Sequence, residues 1–179
     1  MDKVVIVING QGGSGKDTVC KIIAKRFGVL NISTVDPIKE IASFAGWKGE
    51  KTDAARKMLA DLKQVFIEYD DLPLKYVLKK ENEFSETSDE IMCVHCRESE
   101  EIKKIVDNSL IKTVTLLIRR HDDAFRHKNK AFGNHADDDV EKYDYDFVYD
   151  GNNATVADLE ADFNSFFDSV MLPVLMRKI

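Results

Sequence analysis

The chain has 179 residues, which at about 150 residues per domain predicts one domain with room for an inserted segment. Apolar residues make up 44% and charged residues 32%, which excludes wholesale disorder, and no apolar run reaches the roughly 18 to 20 residues that a membrane span requires. Lys plus Arg at 26 against Asp plus Glu at 32 leaves a net charge of −6, which disfavours a surface for gripping nucleic-acid polymers but allows a local basic cluster around a small anion.

The opening MDKVVIVING lacks the apolar core and cleavage site of a signal peptide, so the sequence predicts a soluble cytoplasmic protein. Residues 3 to 8 form a short β-branched run, the mark of a strand buried on both faces in a parallel sheet. A glycine-rich turn follows. From Lys16 to Phe27, Val19, Ile22, Ile23 and Phe27 recur at helical spacing, and Gly28 reads as a left-handed stop. Residues 29 to 34 predict a second strand. Asp36 and Pro37 then predict a helix start, with Asp capping free amides and proline in the first helical position.

Between Asp53 and Tyr69 the apolar residues Met58, Leu62, Val65, Phe66 and Tyr69 are expected to line one helical face, with Arg56 and Lys63 seven residues apart along its border. Pro73 opens another helix. Residues 91 to 96 predict a third strand, 98 to 107 a charged helix and 113 to 118 a fourth strand. Residues 119 to 143 are polar and lack helical periodicity, so they predict a long loop of the functional or mobile kind. Residues 145 to 149 return to strand, and Thr155 with Asp158 resembles a capping box for the last helix. Strands alternating with helices predict a doubly wound α/β sheet.

The informative motif is Gly10-Gln11-Gly12-Gly13-Ser14-Gly15-Lys16-Asp17-Thr18, which fits G-x-x-x-x-G-K with Asp where Ser or Thr is usual. It follows a buried strand and opens a helix, so backbone N–H groups, the positive end of the helix dipole and the Lys16 ammonium converge on one anion. Glycine serves there because it accepts positive φ and has no Cβ to obstruct a ligand. This predicts nucleoside triphosphate binding. Asp17 brings a carboxylate beside phosphate oxygens, tolerable only with a cation between them, and so predicts contact with Mg²⁺ directly or through water; capping of the helix is the simpler alternative.

Cys20, Cys93 and Cys96 are an odd number at no framework spacing, which fits a reducing compartment. Cys93 and Cys96 lie in the apolar run IMCVHC and are expected in the core. A zinc site there would need ligands such as His121, His127 or His135 folded back over the sheet.

GQGGSGKDT, VDPIKE at 35 to 40, CRESEEI at 96 to 102, LLIRR at 116 to 120 and YDFVYDGN at 145 to 152 together resemble P-loop nucleotide kinases, above all the deoxynucleoside monophosphate kinases of bacteriophages and their bacterial relatives. The resemblance spans about residues 3 to 162, and GKDT is its most specific part. It implies a five-stranded parallel sheet of order 2-3-1-4-5 in a single domain, an acceptor-binding region at about 36 to 88 and a lid at about 119 to 143. It implies ATP and Mg²⁺, with a monophosphate as acceptor. By matching position, the loop from Gly10 to Thr18 would hold ATP, with Lys16 on its phosphates and Thr18 on the α-phosphate. Asp36, Arg56 and Arg97 would face the acceptor, Arg119 and Arg126 would come from the lid or its hinge, and Asp150, Gly151 and Asn152 would border the adenine.

Two positions depart from that pattern. His95 stands two residues before Arg97, where the family commonly has an acid, and RKMLADLKQVF after Arg56 lacks the family's acceptor signals. The acceptor therefore stays open: a nucleoside or deoxynucleoside monophosphate, another phosphorylated molecule such as phosphomevalonate, or no turnover at all in a nucleotide-binding regulator. Oligomeric state is open too.

Overall fold

The computed structural model describes residues 2–120, 140–151 and 155–177. Five parallel strands, β1 (Val4–Asn9), β2 (Val29–Ser33), β3 (Ile91–His95), β4 (Lys112–Arg120) and β5 (Phe147–Gly151), form one sheet in the order β2-β3-β1-β4-β5. The order expected from the resemblance is the one observed. Helices α1 (Lys16–Ala24), α2 (Asp36–Phe44), α3 (Asp53–Asp70), α4 (Leu72–Ser85), α5 (Ser99–Asn108) and α6 (Val156–Phe166) connect or flank the strands. A wider π turn at Phe167–Met171 and a last helix, α7 (Leu172–Leu175), continue from α6.

The sheet separates two apolar layers because side chains alternate along each strand. Val4, Ile6 and Ile8 of β1 join α1 and the C-terminal helices through Val19, Ile23, Phe163 and Phe167. Val5 and Val7 face the other way, onto Val77 and Phe84 of α4 and Ile102 and Ile105 of α5. All six residues of β1 are buried, and each fully buried aliphatic side chain contributes about 1.5–3 kcal/mol. The central strand therefore has no freedom to slip, and its C-terminal end is a fixed point for the site.

Three expectations need correction. Gly28 is not in the left-handed region; a Cβ there would lie 2.8 Å from Asp89 Oδ1, so close approach explains the glycine. Asp36 does not cap the amides of its own helix. Its Oδ2 instead accepts from the Ser33 N–H at 2.7 Å, closing the turn behind it, while Oδ1 accepts from Lys39 Nζ at 3.0 Å. On α3 the expected apolar face lies largely in solvent: Val65 is 58% and Tyr69 81% exposed, whereas Lys63 is the buried residue. The physical reason is electrostatic, because two carboxylates of the neighbouring α5 region draw the ammonium inward. Thr155 does cap α6 as expected, its Oγ1 accepting from the Asp158 N–H at 3.1 Å. Among the described residues, no helix is long and apolar enough to cross a membrane.

Candidate active site

The turn between β1 and α1 has the geometry of an anion cradle. Gly10, Gly13 and Gly15 have φ of 149°, 80° and 102°, which other residues rarely adopt, and Gly15 precedes α1 in the left-handed conformation. No side chain caps α1, so its first-turn amides remain directed at whatever occupies the loop. Lys16 Nζ donates to the Gly10 carbonyl and, at 2.9 Å, to the Gln11 carbonyl, which folds the ammonium over the cradle. Ser14 is buried, and its Oγ is one of three buried side-chain atoms without a hydrogen-bond partner among the described residues. A hydroxyl in that position is short of the acceptor that a phosphate oxygen supplies. Gly10 also meets β4 closely, since a Cβ would sit 2.4 Å from the Ile118 carbonyl oxygen.

Arg97 lies in the turn that leaves β3, and a buried amide ties that turn to the loop. Asn9 is completely buried, with Oδ1 accepting from the Gly10 N–H at 2.7 Å. Its Nδ2 donates to the Arg97 carbonyl at 2.9 Å and to Tyr145 Oη at 2.6 Å. The Gly10 amide can only donate and the Arg97 carbonyl can only accept, so the Asn9 amide has one permitted orientation. Tyr145 then donates to the Val140 carbonyl at 2.9 Å. Burial pushes the Tyr145 phenol up to about 12, so it stays protonated as this chain of bonds requires. Neither Asn9 nor Tyr145 was among the expected site residues.

The end of β3 also places His95 beside α1. His95 Nε2 is 2.9 Å from Asn31 Oδ1, 3.5 Å from Cys20 Sγ and 3.9 Å from Asp17 Oδ1. Cys93 is fully buried, as expected of a core residue, and hydrogen-bonds Cys20. That bond, helped by His95 and opposed by burial, brings the Cys20 thiol down to about 6. Asp17 points into solvent, its side chain 88% exposed, although it follows the loop lysine directly.

Behind Arg97, Lys63 of α3 donates to Glu98 Oε2 at 2.7 Å and to Glu101 Oε2 at 2.8 Å. Burial alone would lower this ammonium, but Glu101 and Glu98 outweigh it and hold the pKa above the usual lysine value. Burial raises Glu101 above the ordinary carboxylate range; for Glu98 burial is outweighed by Lys63, which holds it below. Cys96, Glu98 and Glu101 offer ligand atoms within 4.8 Å of one another, and the cation serving both carboxylates is the lysine. Cys96 is otherwise a core residue, with its thiol pushed up by burial.

No protein-family profile matches the chain, and no curated protein matches it either. Solved structures do. A sugar kinase from Janibacter sp. HTCC2649 matches at a TM-score of 0.53 and 12% identity, over 99% of this chain and 100% of its own. An uncharacterized protein from Eubacterium ventriosum matches at a TM-score of 0.50 and 13% identity, over 93% and 99%. A shikimate kinase from Aquifex aeolicus matches at 0.48 and 14%, over 92% and 96%. The fold is that of a P-loop kinase.

Within that P-loop kinase fold, the expected residues fall unevenly. Gly10 to Thr18 form the cradle and the first turn of α1, and Arg97 stands beside it through Asn9. Arg119, at the end of β4, donates to both oxygens of Glu141, its Nε at 2.8 Å from Oε1. It also approaches Asp150 at 3.9 Å. Gly15 and Gly151 both face Leu159: a Cβ on Gly15 would meet Cδ2 at 3.9 Å, and one on Gly151 would meet Cδ1 at 3.6 Å, so the end of β5 borders the loop. Asp36 lies at the start of α2, engaged with Ser33 and Lys39. Arg56 approaches Asp53 at 3.5 Å, one turn away on α3. Arg126, Asn152 and the histidines His121, His127 and His135 lie outside the described residues.

Proposed function

We propose that this protein transfers the γ-phosphoryl group of ATP to a small phosphorylated acceptor, a nucleoside or deoxynucleoside monophosphate. The observation that carries this reading is the uncapped start of α1, wrapped by a loop of left-handed glycines with Lys16 folded over it. Such an arrangement stabilises charge that is spread over phosphate oxygens, and phosphoryl transfer needs little beyond positioning and that stabilisation. The hydroxyl of Ser14, short of a partner, and a helix start that no side chain caps fit a triphosphate.

Lys16 neutralises the transferring phosphate, Thr18 touches the α-phosphate, and Arg97 faces the acceptor phosphate from the end of β3. Arg119 adds positive charge from the end of β4 and Arg126 from the expected lid, Asp36 and Arg56 line the acceptor region, and Asp150 to Asn152 border the adenine. The donor set suits a divalent cation: Asp17, exposed and next to Lys16, would hold Mg²⁺, which supplies charge neutralisation between the phosphates.

The test is a panel of ribo- and deoxyribonucleoside monophosphates, with phosphomevalonate as the non-nucleotide member, each with ATP and Mg²⁺. ADP formed with one nucleotide acceptor, and lowered by about three orders of magnitude or more in Lys16→Ala at unchanged melting temperature, is the expected result. Near-normal turnover in Lys16→Ala would refute the site. ATP binding without turnover of any acceptor would leave a nucleotide-binding regulator.

A further inference from the structure

The cation site next to Lys16 has an unusual neighbour. The register of the sheet places His95 beside Ile8 at the end of the central strand, directly against the first turn of α1. Asp17 Oδ1 and His95 Nε2 are 3.9 Å apart. Two donors bound to one cation at about 2.0–2.2 Å and at about 90–110° stand roughly 3–3.6 Å from each other. A small rotation of the Asp17 side chain closes the difference, and its 88% exposure means that no packing resists it. Cys20, one turn after Asp17 on α1, brings a thiol to 3.5 Å from the same imidazole nitrogen.

This is a mixed donor set: one hard carboxylate, one imidazole, and a thiol behind them. Magnesium favours oxygen donors and gains little from imidazole, whereas first-row transition ions bind imidazole nitrogen well. We propose that His95, together with Asp17, makes the cation site of this phosphate loop one for a first-row transition ion such as Mn²⁺ or Co²⁺ in preference to Mg²⁺. The nucleotide's phosphates and water complete the shell, so two protein ligands suffice. His95 serves in its neutral form with the proton on Nδ1. Asn31, exposed on β2, gives up its contact with Nε2 when the cation arrives. The inference rests on the reading of the loop as a nucleotide site and adds to it the class of ion and the residue that selects it.

The experiment is pulsed electron paramagnetic resonance on the protein with Mn²⁺ and ADP. Phosphorus coupling reports the metal on the nucleotide, and nitrogen coupling reports an imidazole ligand. Both are expected in the native chain, with the nitrogen signal lost in His95→Gln and moved to the ¹⁵N frequency when histidine is ¹⁵N-labelled. The labelled native chain carries the test if the variant does not fold. In parallel, calorimetry of ADP binding is expected to favour Mn²⁺ over Mg²⁺ by about tenfold or more, and His95→Asp to remove most of that preference.

Phosphorus coupling without nitrogen coupling overturns the role of His95 while the nucleotide site stands. Nitrogen coupling that survives in a folded His95→Gln, or that ignores the label, overturns it as well. An unchanged ratio of metal affinities in His95→Asp does the same. Absence of both couplings removes the nucleotide site and this inference with it.

Discussion

Replacing Lys63 by Met tests whether the buried ion cluster holds α3 to the turn that carries Arg97. Methionine keeps the length and apolar stem of the side chain and deletes the charge. The structure sets the magnitude. Glu101 is 8% exposed and keeps one oxygen without a partner even with Lys63 present, so losing the ammonium strands a buried carboxylate. Glu98 is 43% exposed and recovers part of its loss from water. Removing one member of a fully buried pair costs about 3–5 kcal/mol, and the half-exposed Glu98 puts this case near the lower end, about 3 kcal/mol. For a chain of this size that is a fall of about 6–12 °C in Tm.

The pH dependence of that loss has a definite sign. Burial already raises Glu101, and without Lys63 it rises further, so the variant regains stability as pH falls and Glu101 takes a proton. At the alkaline end, Lys63 is held above 10.5, so its contribution is complete below that value and disappears as pH rises through the folded pKa. The gap between native chain and variant should therefore narrow at both ends. Urea unfolding followed by circular dichroism across that range reads it directly, and the double variant Lys63→Met with Glu101→Gln should recover most of the loss. A loss under about 1 kcal/mol at neutral pH, or the same loss with Glu101→Gln in place, would refute a buried electrostatic clamp.

Gly10→Ala should be strongly destabilising, by about 2–4 kcal/mol in chemical denaturation, because φ is 149° and the new Cβ would lie 2.4 Å from a β4 carbonyl oxygen. A change below about 1 kcal/mol would mean that the loop and β4 are not in the contact described. Tyr145→Phe keeps the ring but leaves an Asn9 N–H and the Val140 carbonyl without a partner, for a cost of about 1–3 kcal/mol. Thermal melts of this variant alone and combined with Asn9→Ala should show non-additivity, and strictly additive losses would dissolve the network.

The strands and the loop were legible because their signals are local. A β-branched run such as KVVIVI reports a strand buried on both faces, and the glycines around Lys16 report backbone conformations that few other residues adopt. What stayed hidden depends on residues distant in sequence. Lys63 reads as polar, and only its meeting with Glu98 and Glu101, 35 and 38 residues later, takes it inside. The two acids just after Arg97 were the available hint, but no spacing rule links them to α3. Asn9 and Tyr145 are 136 residues apart and meet because β1 and the approach to β5 flank the same strand. For Asp36 the ambiguity was local: a carboxylate before proline can bond forward to the helix or backward to the turn, and here it bonds backward to Ser33.

The resting position of Lys16 bears on the thermodynamics of ligand capture. Its ammonium donates to the carbonyls of Gly10 and Gln11, so the loop is held in its curled shape by its own lysine, which acts as an internal placeholder for the guest. On the proposed reading, an arriving anionic ligand would offer the ammonium phosphate oxygens in place of those carbonyls, so that one set of hydrogen bonds replaces another. The backbone has already given up its conformational freedom during folding, so little ordering cost falls on the binding step. Affinity then reflects the charge that the lysine and the first turn of α1 present, and capture of the ligand does not wait for the loop to find its shape.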